Sequence, residues 1–296
     1  MGTSTGIISN YLEDKILNHI LKGIAYTMPT HMWLTVYTGD GAGEGNTGLG
    51  EITIGGYSNV SLGLARPEID ISAGALALDG LYIYNTEPII FTQATTNWGT
   101  VTGWGLKDWS GMDYMAGNLL FWGMFDTPIA NPSGNTLRIG TNKLRMVFST
   151  PSTYQAYGWT TFSSAAMANW VVNGIPFDWA SGGVYIALGR NVILNNTTEQ
   201  LFSSWTEVNT LTCPSYSRKL ILANYWNAPV NSTSSNYSEI VFTTDATESW
   251  GSITDVVLYD TTNTNPLFWG HLANEIIINI GDGFTFLAEE LSVSID

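Results

Sequence analysis

Between Ser9 and Lys22 the apolar residues Leu12, Ile16, Leu17 and Ile20 fall on one stripe, spaced i, i+4, i+5 and i+8. That period predicts an amphipathic α-helix with one buried face. Ser9 or Asn10 supplies a capping side chain, and Glu13 and Asp14 suit the positive end of the helix dipole. Gly23 is placed to close the helix in a left-handed turn. About 150 residues later Phe162, Ala166, Met167 and Trp170 form a weaker face ahead of Gly174, with almost no charge around it. A second helix is predicted there.

The pattern then changes to short apolar runs. Met32 to Thr38 alternates large and small residues, and Val184 to Leu188 takes the matching place in the second half. Gly55-Gly56-Tyr57-Ser58 opens a further strand, with Pro214-Ser215-Tyr216-Ser217 in the corresponding position. Leu81 to Tyr84, Ile89 to Phe91, Val101 to Lys107, Leu119 to Phe125, Leu137 to Ile139 and Leu144 to Phe148 are rich in β-branched and aromatic residues. Gly, Asn, Ser or Pro separates them, which predicts antiparallel strands rather than alternating strands and helices.

These elements occur twice. Phe91 to Thr102 (FTQATTNWGTVT) matches Phe242 to Thr254 (FTTDATESWGSIT), Leu120 to Gly123 matches Leu267 to Gly270, and Gly134-Asn135 matches Gly281-Asp282. The repeat is domain-sized, far longer than the period of a solenoid. The expected fold is mainly β: two tandem, related, antiparallel β-sandwich or barrel-like domains, each with one N-terminal α-helix. The boundary is expected near Ser149-Thr150-Pro151, giving domains 1–150 and 151–296, each long enough to bury its own core.

Composition narrows the function. The chain is 44% hydrophobic and only 12% charged, so its polar surface is built largely from Thr, Ser, Asn and Gly. A net charge of −15 repels phosphate backbones, so nucleic acid is a poor partner. Arg138, Lys143 and Arg145 read as solvent-facing positions on a terminal strand. Cys213 is the single cysteine, which excludes an intrachain disulfide and a thiolate metal site. No run reaches the roughly 18 apolar residues of a membrane-spanning helix, so no membrane insertion is expected. Met1 to Thr5 lacks the basic and apolar regions of a secretory signal.

The repeated Trp98-Gly99-Thr100-Val101-Thr102 and Trp250-Gly251-Ser252-Ile253-Thr254 units read as packing: Trp closes the core, and Gly permits a turn or a close backbone approach. Leu-Phe-Trp-Gly reads as a strand buried on both faces. Trp109, Trp159, Trp179, Trp205 and Trp226 have no counterpart in the other copy. With Tyr114 they are the candidate contact surface, because interface cores favour Trp and Tyr. The loop Asp40 to Asn46 has oxygen ligands but not the spacing of a calcium-binding EF-hand. His19, His31 and His271 are dispersed, and no nucleophile elbow, zinc-protease or phosphate-loop motif is present. The paired carboxylates of a glycosidase meet only in the fold, and the sequence nominates none. No cofactor, no metal and no enzymatic activity are expected.

Ser9-Asn10-Tyr11-Leu12-Glu13-Asp14-Lys15-Ile16-Leu17-Asn18-His19 resembles the opening helix of a family of small tailed-phage virion proteins usually labelled tail fibre proteins. Ala25-Tyr26-Thr27-Met28-Pro29, Gly55-Gly56-Tyr57, Trp98 to Thr102, Asn118 to Gly123 and Ser133 to Leu137 resemble later landmarks of that family, in order. The family commonly has Ala-Arg after Gly-Gly-Tyr, where Ser58-Asn59 stand here, and His where Gly103 and Asp255 stand. The resemblance implies a non-enzymatic structural protein on the virion exterior, assembled in the host cytoplasm. It would be a tail-associated fibre, adaptor or baseplate component. A capsid decoration protein and a host-glycan-binding module are the alternatives. Implied partners are other virion proteins (tail or major capsid protein) and further copies of the same chain in a homo-oligomer, with host surface glycan as an additional candidate.

Overall fold

The computed structural model describes residues 4–39, 51–52, 68–70, 74–79, 82–108, 117–148, 157–173, 183–194 and 202–295. The first half carries β1 (Ser4–Ile8), α1 (Asn10–Lys22), β2 (His31–Thr38), β3 (Glu68–Asp70), β4 (Leu76–Asp79), β5 (Tyr82–Asn85), β6 (Ile89–Gln93), β7 (Thr100–Lys107), β8 (Leu119–Ala130), β9 (Thr136–Ile139) and β10 (Leu144–Val147). The second carries β11 (Tyr157–Trp159), α2 (Thr161–Asn173), β12 (Val184–Leu194), β13 (Phe202–Glu207), β14 (Lys219–Ile221), β15 (Thr233–Ser235), β16 (Ile240–Thr243), β17 (Gly251–Tyr259), β18 (Pro266–Ile278), β19 (Phe284–Phe286) and β20 (Ser292–Ser294). The fold is mainly β, as the periodicity predicts. The strand expected at Gly55 lies outside the described residues. None of the described helices is long and apolar enough to cross a membrane.

The first half forms an eight-stranded sheet in the order β3-β2-β7-β8-β1-β10-β5-β4, with a separate β6–β9 ribbon. The second forms the order β11-β18-β17-β12-β13, with β14 also on β12, and two ribbons, β15–β20 and β16–β19. Described pairings are antiparallel except β1 with β10, which run parallel. Two compact units result: Met1–Glu13, Thr27–Phe148 and Met167–Pro176 in one, Asp14–Tyr26, Ser149–Ala166 and Phe177–Asp296 in the other.

The duplication is visible residue by residue. Ile7 and Ile8 pair with Trp122 and Phe121, and Gly158 and Trp159 pair with Trp269 and Phe268. Trp104 faces Gly123, as Val256 faces Gly270. Both β7–β8 and β17–β18 shift register at the same place, between Val101 and Gly103 and between Ile253 and Asp255. Shared bulges of this kind fix where the ladder bends.

Where each short leading strand turns into its helix, a hydroxyl residue clamps the junction. Ser9 N–H donates to Leu120 O at 2.9 Å, and its Oγ donates to Leu119 O while accepting from Leu12 N–H at 3.4 Å. In the second copy Thr160 N–H donates to Leu267 O at 3.0 Å and its Oγ1 to Pro266 O. Ser163 Oγ adds a 2.7 Å bond to Leu267 O, and Ser163 N–H donates to Thr160 Oγ1 at 3.1 Å. Helix caps normally satisfy only the helix; these also occupy the carbonyls of the adjoining strand.

The α1 stripe is buried as expected, with Leu12, Ile16, Leu17, Ile20 and Leu21 at 0% exposure. Gly23 adopts φ 64°, a left-handed helix stop, and beyond it Ile24 N–H donates back to Asn18 O at 3.1 Å. In the second unit Asp14 Oδ1 accepts from Ser232 N–H at 3.0 Å and Lys22 Nζ donates to Trp226 O at 2.7 Å. The charged face of α1 is thus tied to the segment that leads into β15.

For α2 the predicted face needs correction. Phe162 is 38% exposed, while Ser163, Ser164, Met167, Ala168, Trp170 and Val171 are buried. Without charges to mark a polar side, the sequence shows no clear stripe, and the bonds of Ser163 to the strand set the rotation.

The Trp-Gly units behave as packing. Trp98 and Trp250 are 4% and 5% exposed, and each meets an aromatic neighbour edge-on, Phe91 at 6.1 Å and Tyr216 at 5.3 Å. Gly99 and Gly251 have φ of 82° and 75°. A Cβ at Gly99 would meet nothing within 4 Å, so the turn, not crowding, demands glycine. Ala94 and Ala246 close the same unit by accepting from Gly134 N–H and Gly281 N–H at 2.7 and 2.8 Å.

Ser9→Ala and Thr160→Val each remove a cap and leave a strand carbonyl short of a donor. Each is expected to cost about 1–2 kcal/mol, read as a lower denaturant midpoint in chemical unfolding. A change within error for both would refute the clamp.

Candidate functional site

The sequence-nominated aromatics separate in the structure. Trp109, Tyr114 and Trp179 lie outside the described residues, as does the Asp40 to Asn46 loop. Trp159 is described through its backbone, which pairs with Phe268 in β11. Trp226 is 1% exposed, so its ring presents no open face. Its lack of a counterpart therefore reflects a different core, not an open surface. Trp205 is half-buried on β13, and its indole N–H donates to Tyr259 Oη at 3.0 Å. Arg138 is exposed on β9, and Arg145 lies 5.7 Å from the Tyr82 ring centroid.

Trp205 leads into a charged cluster that sequence reasoning did not assemble. Arg218 donates through Nε and Nη2 to the two carboxylate oxygens of Glu207, at 2.8 and 2.6 Å. Its Nη1 donates to Asn263 O and Oδ1, both at 2.8 Å, and its Cζ sits 3.7 Å from the Tyr259 ring centroid. Tyr216 Oη donates to Glu207 Oε1 at 2.9 Å and accepts from Leu188 N–H at 2.9 Å. Burial and then the Glu207 charge push the Tyr216 phenol far above its ordinary value. Burial opposes the Arg218 charge, but the Glu207 hydrogen bond and charge outweigh it, and the guanidinium pKa rises.

The same cluster orders the β17–β18 turn. Asp260 Oδ1 accepts from Thr262 Oγ1 at 2.7 Å and from the N–H of Thr264 and Asn265 at 3.1 and 3.2 Å, and Oδ2 accepts from Asn265 Nδ2 at 2.7 Å. Asn263, held by Arg218, takes φ 61° there. Burial works to raise the Asp260 pKa, but the hydrogen bonds from Asn265, Thr262 and Thr264 win and lower it.

An equivalent acid sits in the first copy. Glu51 bridges to Tyr37 and Ile52 N–H donates to Val36 O, as Glu207 pairs with Gly189 and Val208 N–H donates to Leu188 O. Glu51 is held by Lys107 Nζ at 3.1 Å, with side chains only 2% and 1% exposed. Lys107 occupies the β7 position that Tyr259 occupies in β17, since Lys107 and Tyr259 each follow the second register shift of their strand pair. The acid stays and the cation changes element.

With the repeat established at the level of individual hydrogen bonds, the comparison with known families is direct. The family described as podophage GP4 fiber I protein gp80 matches residues 7–147 and, a second time, residues 158–294. The chain belongs to this family. It holds two tandem copies of the gp80 region. No curated protein matches it.

Within the gp80 region the copies also differ at one cross-strand pair. Gly103 faces Met124 in the first copy, where Asp255 faces His271 in the second. His271 Nδ1 contacts Asp255 Oδ1, and Asp255 Oδ2 accepts from Val192 N–H at 3.2 Å and Thr254 Oγ1 at 2.9 Å. The carboxylate is 1% exposed and the imidazole 46%. His271 borders a cavity of about 280 Å³ that Trp269, Leu258 and Val293 also line. Among the described residues no three His, Cys, Asp or Glu side chains gather as a metal site. The sequence held both members of this pair, but only the β17–β18 register shows that they meet.

Removing Lys107 takes the cation away from the buried Glu51 carboxylate. Lys107→Ala is expected to destabilise the first unit by about 3–5 kcal/mol, and Lys107→Met with Glu51→Leu to restore most of it. Hydrogen exchange of β2 and β7 reads both, and equal stability of the single variant and wild type would contradict the pairing. For Asp260 the folded pKa is below the unfolded one, so its stabilisation is complete above the unfolded value, about pH 4, and is lost as pH falls through the lower folded value. Asp260→Asn is expected to flatten the acid side of the second unit's melting curve against pH; an unchanged acid limb would contradict this.

Proposed function

We propose that this chain is a tail-associated structural component of a podophage virion, a fibre, adaptor or baseplate element that assembles through protein–protein contacts and without catalysis. The observation that carries this reading is the gp80 match to both halves of one chain. In it, two domains, 1–150 and 151–296, share a scaffold of clamp, Trp-Gly turn and salt-bridged acid. Tandem copies of one scaffold suit a pseudo-symmetric setting, where related surfaces fill related but unequal contacts. Partners are other virion proteins and further copies of the chain, and the differences between the copies supply the unequal contacts.

The low charge supports the same reading. A surface of hydroxyl and amide groups, 12% charged overall, offers neighbouring subunits directional hydrogen bonds.

Immunogold labelling of an epitope-tagged chain on intact virions tests it. Label is expected at the tail and absent from the head. Label spread over the head would replace the tail reading with capsid decoration, and unlabelled virions of full infectivity would remove the virion role.

A further inference from the structure

Beside Trp205 the second unit carries an open groove of about 760 Å³, lined by Trp205, Thr206, Glu207, Asn209, Ser217 and Arg218 among others. A second depression of about 430 Å³ continues from it, sharing Thr206, Glu207 and Asn209. We infer that this groove binds a neutral oligosaccharide.

The chemistry of the lining selects the ligand. The indole N–H of Trp205 is spent on Tyr259, so the ring is held in place and lines the groove with apolar aromatic surface rather than a donor. Arg218 and Glu207 neutralise each other through two bonds, and Asn263 takes the remaining guanidinium edge. Both charged groups of the Trp205 groove are therefore committed before any ligand arrives, while the exposed Arg190 stands apart in the second depression. The groups left over are neutral: the hydroxyls of Thr206 and Ser217 and the Asn209 amide N–H₂, exposed residues whose Asn209 Oδ1 alone is engaged, by Leu211 N–H at 2.9 Å.

An aromatic face beside hydroxyl and amide groups matches a sugar ring, with apolar C–H on one side and hydroxyls around its rim. A protein partner would instead require an apolar centre, which this groove has only at Trp205 and Val208. The Trp205 groove itself offers an anionic glycan or phosphate no uncommitted cation, since the exposed Arg190 lies only along the second depression, and the chain carries a net charge of −15. The two joined depressions call for more than one sugar unit. The site belongs to the second copy: two residues before the shared acid the first copy has Leu49 where the second has Trp205.

The test presents the full-length chain to immobilised neutral oligosaccharides of gluco, manno, galacto and rhamno type, beside acidic counterparts. Binding to at least one neutral oligosaccharide is expected, insensitive to salt. Trp205→Ala should weaken it roughly tenfold or more, and Trp205→Phe less. Thr206→Val, on the strand surface, should weaken it several-fold, and carries the test if Trp205→Ala fails to fold. No neutral ligand, binding of acidic glycans alone with loss in salt, or wild-type affinity in a folded Trp205→Ala or Thr206→Val variant would each overturn the proposal. The readout is sugar binding by the isolated chain, so its failure leaves the virion assignment intact, and the reverse also holds.

Discussion

Everything else in each copy hangs on the junction where a short leading strand becomes a helix. A β-strand presents carbonyls sideways and a helix consumes them along its axis, so a chain passing from one to the other leaves donors and acceptors unmatched. Ser9 and Thr160 resolve this by bonding to the strand next door: the backbone N–H continues the ladder, and the hydroxyl takes one more carbonyl. The bond that starts the helix also sets its angle to the sheet. The buried stripe of α1 and the rotated face of α2 follow from that anchor.

A second constraint is the carboxylate that each copy keeps next to the strand carrying Val36 or Leu188. A buried carboxylate is tolerated only with a cation and good geometry. In the first copy Lys107 meets it almost out of water, and in the second Arg218 meets it at the surface with Tyr216 and Asn263 filling the remaining valences. Polar networks that satisfy themselves are rigid and offer little to a ligand. The groove beside Trp205 has a rigid charged wall for this reason.

Much of the scaffold was legible in the sequence because it rests on local signals. The α1 stripe and Gly23, the Trp-Gly turns and the Leu-Phe-Trp-Gly strands all follow from spacing and from residues with narrow conformational roles. β1 was not legible: Ser4, Thr5 and Gly6 carry no apolar period, and the strand exists because β8 and β10 supply its partners. The α2 face was misread for want of polar markers. The charged cluster was invisible for a different reason: Glu207, Arg218 and Tyr259 have unremarkable neighbours, and only the registers of β12 with β13, β14 and β17 bring them together. Lone tryptophans proved an uneven guide, since Trp226 serves the core and Trp205 the groove.

The relocated cation has a consequence for the two copies as exchangeable parts. The sequence sets Tyr57-Ser58-Asn59 beside Tyr216-Ser217-Arg218, so each copy has a cation at one of the two places and a neutral residue at the other. A chimera that joins the Tyr57–Asn59 segment to the strand bearing Tyr259 would carry the acid with neither cation. The reverse chimera would carry both. The first strands a carboxylate at a cost of about 3–5 kcal/mol, a large part of the roughly 5–15 kcal/mol that holds a domain together; the second merely crowds two positive charges. Divergence by single substitutions is therefore directional, passable when the new cation arrives before the old one leaves. Once that exchange is complete, recombination inside the fold is tolerated in one direction only.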